Sequence, residues 1–166
     1  MKIHMLILSL CFIFTLAGCN ISDEDLTKAT INQTKLAFEE QPKKPNKKTD
    51  LFSYYVPKEF EIKETNKYNV LLEKGKQSYI LFVNLNEKTN SKVSYEALSS
   101  QYKNPFILKS FESNGKFGYL FVDKIDKNKY EVTVGIGGTK LTTESNAINI
   151  EEDVQNMMYI VNSVMK

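Results

Sequence analysis

The chain has no arginine and no tryptophan, and among its 166 residues there is a single histidine, His4, and two cysteines, Cys11 and Cys19. Without arginine there is no guanidinium fork to grip a phosphate or carboxylate through two parallel hydrogen bonds. With its only histidine at the extreme amino terminus, the rest of the chain lacks the side chain most used as a general base and as a transition-metal ligand. An enzymatic reading would have to rest on carboxylate, lysine, serine or tyrosine groups, as glycan-cleaving enzymes with paired carboxylates do. Long apolar runs are scarce as well. The longest, Met5 to Leu16, is broken only by Ser9 and Thr15; as a helix it would span roughly 18 Å, short of a hydrocarbon core of about 30 Å.

Lysine, by contrast, is abundant, supplying all 22 basic residues against 20 acids. A chain so nearly balanced gives no electrostatic reason to expect nucleic acid. Lysine, asparagine and isoleucine have AT-rich codons, so their abundance points to a low-GC genome, as in Gram-positive bacteria.

The basic opening Met1-Lys2-Ile3-His4, the short apolar run and the small residues that follow describe a secretory signal peptide. The run ends in Leu16-Ala17-Gly18-Cys19, which resembles the lipobox of bacterial lipoproteins at all four positions. The resemblance implies that the thiol of Cys19 receives a diacylglyceryl group, that the bond before it is cut, and that the new amine can take an acyl chain such as palmitate. Each buried methylene stabilises membrane attachment by about 0.8 kcal/mol, so two or three chains anchor firmly where one does not. The implied location is the outer face of the cell membrane. Cys11 would leave with residues 1–18, and alkylated Cys19 could form no disulfide, so the mature core would have to be stable on packing alone.

Three segments are expected: a signal peptide at 1–18, a lipidated cysteine with its tether at 19–50, and one globular domain at 51–166. Ser22 can cap a helix with Asp23, Glu24 and Asp25 in its first turn, but the apolar residues from Leu26 to Phe38 make only a weak stripe. A marginal helix and an unstructured tether are both open readings. Residues 41–50, Gln-Pro-Lys-Lys-Pro-Asn-Lys-Lys-Thr-Asp, read as an extended spacer able to reach about 30 Å. Its four lysines could touch anionic headgroups or be simply solvated.

From Leu51 the pattern becomes that of an α+β domain, an antiparallel sheet of about six or seven strands packed by helices. Strands are expected at Phe52–Val56 and Phe60–Glu64. Hairpins are expected for Tyr68–Glu73 with Ser78–Leu85, and for Phe106–Glu112 with Lys116–Asp123 across Asn114-Gly115. Tyr79-Ile80-Leu81-Phe82-Val83 is apolar at every position, which predicts a central strand covered on both sides. Tyr130, Val132, Val134 and Ile136 alternate with small or polar residues, and Leu141–Glu144 is expected beside them. Val93–Lys103 reads as a helix with Val93, Ala97 and Leu98 on one side. The last segment is the clearest helix: Asn149 and Glu152 have capping-box spacing, and Ile150, Val154, Met157, Met158, Val161, Val164 and Met165 recur on one face. That face is expected in the core, a methionine-rich docking surface being the alternative.

The order of elements, opened by Phe52-Ser53-Tyr54-Tyr55-Val56-Pro57-Lys58-Glu59-Phe60, resembles the Mog1/PsbP-like fold, an α/β/α sandwich. Members of that group are mostly non-enzymatic accessory or binding proteins, and no functional residue of theirs carries over to a position here.

Motifs that suggest chemistry are each better explained by structure. Gly135-Ile136-Gly137-Gly138-Thr139-Lys140 lacks the spacing of a phosphate-binding loop and reads as a hairpin end. Asp123 to Asn128 has oxygen ligands for calcium but no central glycine or closing glutamate, and reads as a turn. Glu151, Glu152 and Asp153 sit where a helix macrodipole favours acids. No catalytic residue, metal ligand or cofactor site is therefore assigned; the one assigned site is the lipidated Cys19. The expected function is a membrane-anchored, non-enzymatic binding or accessory domain with a protein partner at the membrane surface. The alternative is a carrier of a small apolar ligand or lipid, with Tyr54, Tyr55, Phe106, Phe111 and Phe117 lining its pocket, and a carboxylate-based hydrolase stands third.

Overall fold

A computed structural model describes residues 21–166; Cys19 and the expected signal peptide lie outside the described residues. The described chain runs α1 (Asp23–Glu39), β1 (Lys47–Lys48), β2 (Ser53–Tyr54), β3 (Glu61–Thr65), β4 (Asn69–Lys74), β5 (Gln77–Val83), α2 (Val93–Gln101), β6 (Ile107–Ser113), β7 (Lys116–Asp126), β8 (Lys129–Ile136), β9 (Thr139–Asn146) and α3 (Ile150–Asn162). Strands β3 to β9 form an antiparallel sheet in the order β3-β4-β5-β9-β8-β7-β6, so the class is α+β, as expected. Helices α1 and α3 cover one face and α2 lies against part of the other.

Local chemistry accounts for the turns. Asn114 and Gly115 both have positive φ, 51° and 72°, which closes the β6–β7 hairpin in two residues because the primed turn matches strand twist. Gly137, at φ 54°, does the same between β8 and β9, where Ile136 pairs with Thr139. There a Cβ would lie 2.1 Å from the carbonyl oxygen of Lys88, so glycine is required by both conformation and space.

The amino-terminal segment departs from its expected role as a tether. Residues 23–39 are a helix, capped by the Ser22 side chain, which accepts from the Asp25 amide, and its buried face belongs to the domain. Leu26, Thr30, Thr34, Ala37 and Phe38 are all buried. Thr30 and Thr34 donate their hydroxyls to the carbonyls of Leu26 and Thr30 at 2.7 and 2.8 Å. Each threonine satisfies its polar atom on its own helix and offers a methyl group to the core. Phe38 lies over Gly118 of β7, where a Cβ would meet its ring at 2.7 Å. The core therefore begins at Leu26, not after Asp50.

The spacer is also structured. Lys47 and Lys48 pair with Tyr54 and Ser53, and the Asn46 side chain both donates to and accepts from the backbone of Val56, at 2.8 Å each way. A segment without apolar residues is thus fixed by backbone pairing and one bidentate amide.

Helix α3 buries the expected face: Ile150, Val154, Met157 and Met158 are fully buried and Val161 nearly so. Ile160 is also fully buried, although it lies on the flank of α3 away from Gln155, Tyr159 and Asn162, which meet α1 and the residue that follows it. Three details differ from expectation. The Asn149 side chain does not cap the helix; Asn146 instead accepts from the Ile148 and Asn149 amides, and Glu152 reaches out to Lys74. Val164 and Met165 lie beyond the helix, Met165 exchanging two backbone hydrogen bonds with Ser53. Asn162, off the apolar stripe by spacing, is buried and donates to the carbonyls of Phe38 and Glu40.

On the opposite face α2 presents Tyr95 to Phe117 and Tyr119, and Tyr102 to Phe121. Val93 and Ala97 are exposed, so the contacting side of α2 is not the one the apolar pattern indicated. The register carries a row of side chains from Leu71 through Ile80, Thr142, Thr133 and Phe121 to Leu108. Only its β7 end lies beneath α2. Strand β5 is accordingly covered on one side, and Ile80 is 52% exposed, contrary to the expectation for an all-apolar strand.

Candidate functional site: a lysine-rimmed cleft

Helices α1 and α3 lie side by side and point the same way. Gln155 meets Gln33 midway, and near the carboxyl ends Tyr159 donates to Glu40 and Asn162 to Phe38 and Glu40. Seventeen residues of α1 separate the two ends by about 25 Å at 1.5 Å per residue. One end holds the first turns of both helices and the β7–β8 and β9–α3 connections. The other holds the hairpin turns at Asn114-Gly115 and Gly137-Gly138, the 84–91 loop and the last residues of the chain.

At this second end is an open cleft of about 940 Å³. Leu85, Ile136, Val161, Val164 and Met165 give it an apolar floor, and Lys43, Lys44, Lys88, Lys116 and Lys166 stand around it with one acid, Glu87. Lys43 is committed: it pairs with Glu40 at 2.9 Å and lies over the Tyr159 ring at 4.4 Å. That hydrogen bond to Glu40 raises the Lys43 pKa and lowers that of Glu40. Among the described residues the other four lysines make no ion pair.

Neutral groups hold two of the four. Lys116 donates to the Asn162 side-chain oxygen at 2.7 Å, and Lys166 donates to the carbonyls of Asn84 and Glu87. Burial pushes both amines below the ordinary lysine pKa, since a charge is being held where water is partly excluded; the nearby Glu87 offsets part of the effect at Lys166, and no carboxylate does so at Lys116. An anionic group entering the cleft would supply the missing charge. Glu87 is occupied by the Asn84 and Ser91 side chains, which ties the loop down over Gly138.

The residues that suggested chemistry in the sequence are dispersed. The glycine run is the β8–β9 turn, with the Gly137 amide donating to Phe117 and the Gly138 carbonyl accepting from Asn84. Asp123 to Asp126 continue β7, and Lys124 pairs with Asp23; among the described residues no three His, Cys, Asp or Glu side chains are grouped to hold a metal ion. Four of the five aromatics proposed to line a pocket are spread among separate clusters, Phe111 with Phe38, Phe106 with Tyr130, Phe117 with Tyr95 and Tyr54 with Phe52, and Tyr55 is half-buried beside Ser163, to which its amide donates.

Asp153 differs from its neighbours Glu151 and Glu152. It is 2% exposed and accepts from Tyr79 at 2.7 Å, Gln77 at 2.9 Å and Ser145 at 2.5 Å. Its burial, more than the macrodipole, explains its position, since it joins α3 to β5 and β9. Burial and the adjacent carboxylate raise the Tyr79 pKa. Tyr119, fully buried beneath α2, is the one described buried side chain whose polar atom has no partner; burial pushes its phenol up to about 12. Gly135 leaves room for it, because a Cβ there would fall 2.3 Å from the Tyr119 oxygen.

No protein-family model matches the chain, and no curated protein matches it.

Proposed function

We propose that the protein is a lipoprotein, anchored through Cys19 to the extracytoplasmic face of the cell membrane, whose domain is a non-enzymatic binding module. The lysine-rimmed cleft is its binding site, and an acidic segment of a protein partner is its ligand. The observation that carries this reading is the set of four lysines without ion pairs around an apolar floor. Such a site offers both charge complementarity and desolvated contact area, which give steering and hold respectively. The cleft is open to solvent and its rim is cationic, which suits an acidic segment better than a small apolar ligand carried in isolation. Helices on both faces of the sheet support the likeness to the Mog1/PsbP-like fold, whose members are mostly accessory proteins.

Photo-crosslinking from position 90, an exposed residue on the cleft rim, in the full-length protein in native membranes tests the reading. A captured partner rich in acidic residues at the crosslink is expected, with capture falling as salt rises. Lys44→Glu combined with Lys88→Glu should abolish capture while changing stability by less than about 0.5 kcal/mol, because both are surface lysines. Capture that persists undiminished in the double variant would overturn the assignment of the cleft.

A further inference from the structure

At the other end of the helix pair the surface is of a different kind. Ile148 is 87% exposed, Ile125 50% and Ile21 47%. They come from three separate parts of the chain: Ile21 leads into α1, Ile125 is at the register shift near the end of β7, and Ile148 lies in the β9–α3 turn. A shallow cleft of about 780 Å³ is lined by Ile21, Leu26, Tyr130 and Ile148 among others, with Lys124 and Lys127 at its edge. Ile148 is the most exposed of the large apolar side chains described, and a turn gives no structural reason for an isoleucine.

We infer that this end of the domain rests in the interfacial layer of the membrane, with Ile21, Ile125 and Ile148 inserted among the headgroups. The inference rests on the proposed lipidation of Cys19 and adds a fixed orientation to it. Only Asn20 separates Cys19 from Ile21, and α1 begins at Asp23, so from the lipidated residue to the cap at Ser22 the chain can extend about 10 Å. Because α1 is packed into the core, no long tether lets the domain drift away or turn over. The end bearing the isoleucines is the end that the anchor must bring to the bilayer.

The local charges largely offset one another: Lys124 pairs with Asp23, Lys129 with Glu144 and Lys74 with Glu152, and Lys127, which makes no ion pair, is adjacent to Asp126. The contact is therefore apolar, of the kind in which isoleucine side chains enter the headgroup and acyl boundary, and it does not depend on anionic lipid. The same geometry carries the lysine-rimmed cleft about 25 Å farther from the membrane, at the other end of α1. Lys43, Lys44, Lys47 and Lys48 are therefore remote from the headgroups that the sequence suggested for them.

The test uses full-length protein made in a bacterium, with a single added cysteine at 148, 125 or 88 carrying a nitroxide. Mass spectrometry of the amino-terminal peptide first establishes the lipid on Cys19. The purified protein is then placed in vesicles of phosphatidylcholine and in vesicles containing phosphatidylglycerol. Collisions with a water-soluble nickel chelate should be several-fold rarer at 148 and 125 than at 88, and collisions with oxygen more frequent, in both kinds of vesicle. Ile21→Asp should raise nickel access at 148.

A lipidated protein whose label at 148 is as open to nickel as that at 88 overturns the orientation and leaves the anchoring intact. Protection at 148 in native membranes but not in protein-free vesicles also overturns it, and assigns the apolar end to a protein partner. Absence of lipid on Cys19 would instead remove the anchoring itself, and the orientation with it.

Discussion

The two ends of the α1–α3 pair are built from the same residue types, yet they handle charge in opposite ways. At the amino ends, lysines 74, 124 and 129 each meet a carboxylate, Lys127 lies beside Asp126 without an ion pair, and Ile21, Ile125 and Ile148 stand exposed among polar residues. At the carboxyl ends, Lys44, Lys88, Lys116 and Lys166 stand around apolar side chains without a carboxylate of their own. A balanced net charge thus conceals one end that is neutral by pairing and another whose cations are left for something outside the domain. Net charge limits the classes of partner, whereas pairing decides where on the surface a partner can act.

The comparison has meaning only if α1 holds the two ends apart as a rigid part of the fold, and removing it is the severest test. Deletion of residues 23–39 removes Leu26, Ala37 and Phe38 from the core and uncovers the Gly118 face of the sheet, and should abolish cooperative unfolding of what remains. The milder Phe38→Ala should cost about 3–5 kcal/mol, as a buried aromatic truncated to alanine does, read as a fall in the denaturant midpoint. If residues 51–166 alone unfolded cooperatively with the stability of the longer protein, α1 would be an ornament and the fixed separation of the ends would be lost.

At each end a buried polar side chain, Asp153 or Asn162, ties α3 to its surroundings, and the two should differ in cost. Asp153, at the amino end, accepts hydrogen bonds from three side chains on two strands, so Asp153→Ala strands the buried Tyr79 hydroxyl and leaves Gln77 and Ser145 only their bonds to the Thr143 hydroxyl and the Asn146 carbonyl. Hydrogen bonds to a charged group and buried unsatisfied donors predict a loss of about 2–4 kcal/mol. Asn162→Ala, at the carboxyl end, gives up two bonds to α1 carbonyls and the acceptor of Lys116, a loss of about 1–2 kcal/mol. Equal stability of both variants and the unaltered protein in urea titrations would mean that neither network orders the helix pair.

What could be read from the sequence divides along the same line between apolar pattern and polar detail. The sheet class, the Asn114-Gly115 turn and the buried face of α3 all follow from periodicity and turn chemistry, because there each residue's type and its environment agree. Helix α1 is obscured because Thr30 and Thr34 count as polar in any pattern, although their hydroxyls bond back to the preceding turn and only their methyl groups face the core. Asn162 is similarly misplaced: spacing puts it off the stripe, but a second helix, α1, covers that side. Lys88, Lys116 and Lys166 come from three distant parts of the chain and share no spacing; only the Lys43-Lys44 pair lay in a visible run, and there it read as a spacer. No linear signal gathers those lysines, since the hairpin turns and the chain end meet only in three dimensions.

The smallest predicted effect isolates the unpaired charge of the cleft by pH. The folded pKa of Lys116 lies below its ordinary value of 10.5 because burial disfavours the ammonium form. Where a lysine's folded pKa is depressed, the unfolded chain binds more protons between the folded and unfolded values, so stability contributed by that site rises with pH across that window. Below it the cost of the buried charge is fully present. Buried tyrosines act oppositely: Tyr79 and Tyr119 have raised pKa values, so the stability they contribute is present below about 10 and lost as pH rises through their folded values. The comparison must therefore be differential. Stability of the unaltered protein relative to Lys116→Met should increase from neutral pH toward 10.5, the tyrosine contribution cancelling between the two. Relative to Lys43→Met it should fall at high pH, because the hydrogen bond to Glu40 raises the Lys43 pKa; stability from that pair is complete below 10.5 and disappears as Lys43 is deprotonated. Adding a polyglutamate peptide, which would neutralise the Lys116 ammonium in place, should flatten the first difference and leave the second unchanged. Two lysines on one cleft rim with slopes of the same sign would show that Lys116 is compensated already, and that the cleft is no more open to an anion than the paired end of the molecule.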